Sequence, residues 1–301
     1  MIILIAAAFF ACISPTPALL KKASTFAHIQ QSKCDEFLSW KMEHQDSLTA
    51  LLCGTDLSNK NHKELLKKSS LIHIFVVSGA HLLFLDQFLS MLRIPLFVRF
   101  PTWLLYSVLA GWQAPIVRAF MQLSLRAGLR IRGLYFPADL AVLLAGVLGI
   151  ALFPEWVHSL SYQMSWCASL ALSYGAFFRH HSSFRKAVFT QLGIYLCMAP
   201  LLYGLGNLHP LSVLFNLTLG NFVALFILPL ALLASTFPAL RPSFDFLLES
   251  FFFLVSHLTA PIQQESAPLL STEILWAWIT LLHLLCFLFR KKFFQGRDYS
   301  S

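Results

Sequence analysis

Residues 71–92 read LIHIFVVSGAHLLFLDQFLSML, an apolar run interrupted by Ser78-Gly79 and carrying His73, His81 and Asp86. A helix needs about 20 apolar residues to cross a bilayer, and this run has that length. Ionisable groups at such depth are costly and mark a functional site by default. The stretch therefore poses the question of fold and the question of function together.

Outward from it, apolar runs recur at 102–125, 138–153, 160–178, 187–205, 211–235, 244–262 and 274–289, with an earlier one at 2–20. Hydrophobic residues make up 57% of the 301 and charged residues 12%, with a mean hydropathy of +0.68. A soluble domain carries roughly a quarter charged residues. These values exclude a disordered chain, a collagen, a disulfide-dense secreted module and a large soluble catalytic domain. The expected fold is an all-α polytopic integral membrane protein, a bundle of about 7–9 transmembrane or re-entrant helices. The 138–153 run is short and the 244–262 run carries Asp245, Glu249 and His257, so both stay open to a re-entrant or interfacial reading. No internal repeat of the kind found in many secondary transporters is visible.

Residues 1–20 read as a signal peptide or signal-anchor, and the absence of Lys or Arg before Lys21 favours the anchor. Residues 21–70 form the one sizeable polar segment, with eight lysines, no arginine and six acids, and are expected to lie as short amphipathic helices at the membrane interface. Residues 71–290 follow as the membrane domain and 291–301 as a basic cytoplasmic tail. Arg126, Arg130 and Arg132 mark one cytoplasmic loop, Arg179, Arg185 and Lys186 a second, and Arg290, Lys291, Lys292 and Arg297 a cytoplasmic C-terminus. On that orientation the polar segment lies in the cytoplasm if 71–92 spans, and outside if it dips in and returns at Ser78-Gly79. The formal net charge of +8 is then largely topological, because the loops named and the polar segment hold all Lys and Arg except Arg93, Arg99, Arg118 and Arg241.

On an unbroken helix His73 and His81 stand about 80° apart, so both face one surface. Three readings of this group stay open. Ser78-Gly79 is a close helix contact, or Ser78 is a nucleophile with a histidine base, or His73, His81 and Asp86 are part of a metal set that lacks a known spacing. A second group, AGWQAPIVRAFM at 110–121, sets Arg118 deep in an apolar run three residues after Pro115. A proline inside a helix kinks it and frees carbonyls, and the guanidinium either clamps a neighbouring helix end or meets an anion. Gln163 within SYQMSW at 161–166, and Asn207, His209, Asn216 and Asn221, read as interhelical hydrogen-bonding residues. Of six cysteines, only Cys34 and Cys53 share the polar segment, and a disulfide between them requires an oxidising compartment. Cys12, Cys167, Cys197 and Cys286 sit in apolar runs, where thiols pack as small hydrophobes.

At these residues the chain resembles the ComEC family, the inner-membrane DNA-uptake proteins of naturally transformable bacteria. HIFVVSGAHL at 73–82 is similar to the family signature His-Leu-Leu-Ala-Ile-Ser-Gly-Leu-His-Val, and keeps both histidines and the Ser-Gly pair. LLCGTD at 51–56 resembles its Leu-Leu-x-Gly-Asp stretch, with Thr55 intercalated or substituted. Residues 111–121 are similar to its Gly-x-x-x-Pro-x-x-Arg-Ala element, with Pro115 and Arg118 in register; YQMSW at 162–166 resembles Phe-Gln-Leu-Ser-Phe; and 211–229, with Asn216 and Pro229, resembles the Leu-x-Asn segment that follows. Many family members also carry an OB-like domain and a metallo-β-lactamase-like domain. No His-x-His-x-Asp-His signature is present here, His180-His181 being only a loop pair.

The resemblance implies a multi-pass channel component of the inner membrane that passes single-stranded DNA during natural transformation without a nuclease of its own. No catalytic residue, metal or cofactor is expected. The expected DNA pathway or polar core comprises His73, Ser78, Gly79, His81, Gln113, Pro115, Arg118, Gln163 and Asn216. Expected partners are single-stranded DNA, the lipid bilayer, a separate nuclease, a DNA receptor and a cytoplasmic DNA translocase, with a homo-oligomer open. A strand carrying one phosphate per nucleotide calls for cationic or donor-rich lining. Two competing functions are an intramembrane hydrolase using Ser78 with His73 or His81, and a small-anion transporter with Arg118 as its anion site.

Overall fold

A computed structural model of the chain describes residues 16–38, 42–75, 78–134, 136–174, 183–205, 209–260, 268 and 270–295. Most of the expected signal-anchor, Cys12, Arg179, His180-His181, Asn207 and Arg297 lie outside the described residues, as do the side chains of Lys291 and Lys292. The described secondary structure is helical, without a strand: α1 (Ala18–Phe37), α2 (Gln45–Cys53), α3 (Lys60–Lys68), α4 (Ile72–Phe75), α5 (Gly79–Met91), α6 (Leu96–Leu109), α7 (Ala114–Ile131), α8 (Ala138–Leu152), α9 (Leu160–Tyr174), α10 (Ser183–Gly204), α11 (Leu211–Thr236), α12 (Arg241–Thr259) and α13 (Thr272–Gln295). Three stretches are long and apolar enough to cross a membrane, Phe184–Tyr203, Leu211–Thr236 and Thr272–Arg290, and α6 and α8 are shorter apolar helices.

Two of the expected runs are broken. The 71–92 run is split into α4 and α5 by an extended Ser78 (φ −126°, ψ 171°), so the helical-wheel angle between His73 and His81 does not apply. The 102–125 run is split by Gly111 (φ 76°) and Trp112 (φ 55°), both left-handed, which end α6 and start α7 afresh. Pro115 is consequently the second residue of α7, where its missing N–H has no intrahelical partner to lose. It opens a helix and does not kink one.

The chain forms two compact units, one made of Ala18–Phe120 and Leu205–Ala267, the other of Met1–Pro17, Met121–Gly204 and Pro268–Ser301. In the first, α2 is buried on nearly all sides, through Ser47, Leu48, Thr49, Ala50, Leu51 and Cys53. Its leucines join Leu66, Leu71 and Phe75 in one core with Phe215, Val223 and Ile227 of α11 and Phe244, Leu248, Phe251 and Val255 of α12. By contrast α1 buries only Ala27 and leaves Leu19, Phe26, Ile29 and Phe37 exposed. A left-handed Arg93 and Pro95 turn α5 back into α6. Arg99 Nε donates to Asp86 Oδ1 at 3.0 Å, its Nη2 bonds the same oxygen, and the guanidinium lies 5.6 Å from the Trp103 ring. α11 is about 39 Å long at 1.5 Å per residue. It widens into π turns at Asn216–Gly220 and Val223–Ile227, the second just ahead of Pro229, which has no N–H to donate back along the helix.

In the second unit α9 presses aromatic rings onto glycines of α8. A Cβ at Gly146 would come within 2.4 Å of the Trp166 ring and one at Gly149 within 2.2 Å of the Tyr162 hydroxyl. Tyr162 donates to the Gly146 carbonyl at 2.7 Å, and Trp166 Nε1 donates to His283 Nε2 of α13 at 2.8 Å. Arg290 near the end of α13 pairs with Asp139 at the start of α8 at 3.1 Å. The aromatic element at 162–166 is thus the knob set of a small-residue helix contact.

α3 docks on α12 through His62, whose ring stacks on Phe252 at 3.8 Å, with His44 5.5 Å away. Burial, and then the His44 ring, hold the His62 pKa below its ordinary 6.5, and Asp46 pulls weakly the other way. A depressed imidazole pKa means that the unfolded chain binds the extra proton first. The contribution is therefore present above pH 6.5 and is lost as the pH falls through and below that value. The purified chain should show a lower thermal midpoint at acidic than at alkaline pH, and His62→Gln should flatten that dependence. Equal pH slopes for the two proteins would contradict the stacking account.

Candidate functional site

The site forms where α1, the end of α2 and the start of α7 meet. A helix C-terminus leaves its last carbonyls without intrahelical donors, and α2 ends at Cys53 with Gly54 in the left-handed cap conformation (φ 72°). Gln31 of α1 supplies the missing donor. Its Nε2 reaches the Cys53 carbonyl at 3.0 Å and the Gly54 carbonyl at 2.9 Å. One turn further along α1, Cys34 is disulfide-bonded to Cys53, with the Cα atoms 5.9 Å apart. From the opposite side Gln113 Nε2 donates to the same Gly54 carbonyl at 2.6 Å. The Gln113 carbonyl meanwhile accepts from Ile116 N and Val117 N, both at 3.0 Å, and so starts α7.

Gly111 is required twice over. Its φ of 76° disfavours any side chain, and a Cβ there would lie 2.2 Å from Gln31 Oε1. Beyond this junction Arg118 is the fifth residue of α7, about 6 Å along the axis from its start, and is only 1% exposed. It therefore sits near a helix beginning, and not in the middle of a long span as the unbroken reading of 102–125 had it. A cavity of about 570 Å³ opens at the junction, lined by His28, Gln31, Ser32, Asp35, Gly54, Thr55, Asp56 and Gln113. His28, Gln31, Ser32 and Asp35 share one face of α1, at steps of three and four.

The remaining expected residues fall in two groups. Ser78 caps α5: its hydroxyl accepts from Ala80 N at 3.3 Å, and His81 Nδ1 accepts from Ser78 N at 3.0 Å. Nδ1 also lies 3.3 Å from Ser78 Oγ, but the ring nitrogen and the hydroxyl each accept from a backbone N–H, the reciprocal arrangement of a capping box. Gly79 is buried at the first position of α5. Asp86, the third member of the conceivable metal set, is held by Arg99. Among the described residues no three His, Cys, Asp or Glu side chains are placed to hold a metal ion. Asn216 Nδ2 bonds the Ser212 carbonyl at 2.8 Å, on the part of α11 that meets the His73 segment through Ser70 Oγ and Ser212 Oγ, 2.9 Å apart. Gln163 belongs to the second unit, where it donates to the Val157 carbonyl at 2.9 Å.

The residues missed from sequence are those of α1. Gln31, His28, Ser32 and Asp35 look like any polar helix face, and the one signal that singles them out is spacing. Gln31 and Asp35 flank Cys34, so a tie from Cys34 to Cys53 carries both to Gly54.

A family model described as competence protein matches residues 51–293, most of the 301-residue chain. The chain belongs to the competence protein family. No curated protein and no solved structure matches it. Within the competence domain, the junction is built by two of the elements that carried the resemblance, 51–56 and 111–121. Gln31 and Cys34 reach it from outside the matched span.

The junction makes a stability contrast. Gly111→Ala should lower stability by about 1–3 kcal/mol, through the left-handed φ and the clash with Gln31. Gly128→Ala, in the exposed part of α7 with nothing within 4 Å of the added Cβ, should be neutral or stabilising by up to about 1 kcal/mol. Thermal unfolding of both variants in detergent checks the contrast, and equal effects would contradict it.

Proposed function

We propose that this competence-family protein is a multi-pass inner-membrane component through which single-stranded DNA passes during natural transformation. The observation that carries the reading is the Gln113–Gly54 contact, which joins two separate family elements around a polar cavity with a buried arginine just beyond it. Passage of a polyanion needs donors and positive charge without bond breaking. Arg118 is the phosphate contact in this reading, with Gln113 at the rim and with His73 and His81 further along the pathway. The 71–290 region forms the membrane domain, with about 7–9 spanning or re-entrant helices.

Topology follows the same reading. The Cys34–Cys53 disulfide favours an oxidising, extracytoplasmic side for residues 21–70. The break at Ser78 favours a re-entrant α4–α5 segment, because α5 and α6, at 13 and 14 residues, are each too short to cross the roughly 30 Å hydrocarbon core. Arg290 and Asp139 pair at helix ends that the basic loops assign to the cytoplasm. A separate nuclease, a DNA receptor and a cytoplasmic translocase complete the pathway as partners.

The test is the arrival of labelled DNA in the cytoplasm of a competent host. Arg118→Gln should lower arrival by about tenfold or more, the loss expected for one charge-assisted contact, with DNA still bound at the cell surface. Arg118→Lys, which keeps the charge, should retain more activity. Unchanged uptake in Arg118→Gln, with the protein present and its disulfide formed, would refute the reading.

A further inference from the structure

The chemistry of the cavity is at odds with its being a phosphate site. Both glutamine amide nitrogens that border it are committed to backbone carbonyls, Gln31 Nε2 to Cys53 and Gly54 and Gln113 Nε2 to Gly54. What the walls add is Asp35 and Asp56, acceptors only, beside the His28 ring and the Ser32 and Thr55 hydroxyls, which donate or accept. Asp35 has no hydrogen-bond or ion-pair partner among the described residues, and Asp56 Oδ1 accepts only from Leu57 N, at 3.1 Å. Asp35 leaves an uncompensated negative charge on the wall, which disfavours a phosphate and attracts N–H donors, while Asp56 Oδ1 keeps a lone pair free to accept. The positive charge lies outside, on α3. Lys60, Lys63 and Lys67 fall on one face of that helix, and Lys63 Nζ pairs with Asp56 Oδ2 of the cavity wall at 2.5 Å.

An acceptor-rich pocket tied by an ion pair to a lysine stripe matches a nucleotide strand whose backbone and bases are gripped separately. We infer that the cavity is a base subsite: it takes the amino-bearing edge of an unpaired adenine, cytosine or guanine onto Asp35 and Asp56, and the lysine face of α3 holds the flanking phosphates. This deepens the uptake reading and rests on it. Carboxylates accept from the cytosine exocyclic amine, unpaired bases present their Watson–Crick edges to proteins, and thymine has no exocyclic amine to offer. In a duplex those edges are occupied, so the cavity also distinguishes single strands from double strands.

The experiment uses the full chain in detergent and labelled oligonucleotides of about 12 nucleotides, within the size of known single-strand sites. The probes are oligo(dC), oligo(dT), an abasic strand and a duplex of equal length. Oligo(dC) should bind about tenfold more tightly than oligo(dT) or the abasic strand, the worth of one charge-assisted hydrogen bond. Asp35→Asn should bring oligo(dC) down to the abasic level. The double variant Lys60→Ala, Lys67→Ala should instead weaken every strand by a common factor and shallow the log–log salt slope by about 1.4, the value for two contacts on a single strand. A normal disulfide, read as Cys34 and Cys53 inert to maleimide, shows that each variant is folded at the junction. Equal binding of oligo(dC), oligo(dT) and abasic strands, or an unchanged ratio in Asp35→Asn, overturns the base subsite alone. Failure of the wild-type chain to bind any strand overturns the uptake reading and the subsite with it.

Discussion

The Gly54 carbonyl accepts two side-chain amide donors, Gln31 Nε2 at 2.9 Å and Gln113 Nε2 at 2.6 Å, and the first unit is organised around that shared acceptor. A part-buried carbonyl left without a donor costs about 1–3 kcal/mol, so the two glutamines tie α1 and α7 to this loop. The disulfide between Cys34 and Cys53 holds the same loop covalently from one side. Gly111, whose missing side chain makes room for Gln31, holds it sterically from the other. Between them these contacts set the start of α7, and with it the position of Arg118.

Much of the fold was legible because bilayer-length apolar runs dominate the sequence. The α10, α11 and α13 spans coincide with expected runs at 187–205, 211–235 and 274–289. Hydropathy averages over backbone breaks, so 102–125 reads as one run although Gly111 divides it, whereas the Ser78-Gly79 interruption of 71–92 is visible in the sequence and the structure breaks the helix there. Gly111 followed by Pro115 is a helix stop followed by a helix start, and that local chemistry outweighs the apolar pattern around it.

The candidate site was legible in its family elements and hidden in its α1 wall. Gln113, Pro115 and Arg118 stood out as polar or conformationally special residues in apolar surroundings. Gln31 did not, since glutamine on a polar helix face carries no signal until the Cys34–Cys53 tie brings it to Gly54. The YQMSW element at 162–166 shows the converse. Its regularity comes from rings packed on Gly146 and Gly149, so its resemblance reflects helix packing more than chemistry.

The groups around the junction are separated in space. Asp35 and Asp56 line the cavity beside His28, Ser32 and Thr55, lysines line the neighbouring helix, and the buried guanidinium lies one turn into α7. All of it depends on the two glutamines acting on one loop and not independently. The most direct measurement is a double-variant cycle on cytoplasmic DNA uptake, comparing Gln31→Ala, Gln113→Ala and the pair. If both side chains hold the same Gly54 loop, the pair should lose scarcely more than the worse single variant, far short of the product of the two losses. A double loss equal to that product would mean that the glutamines act separately and that the junction is not the organising element.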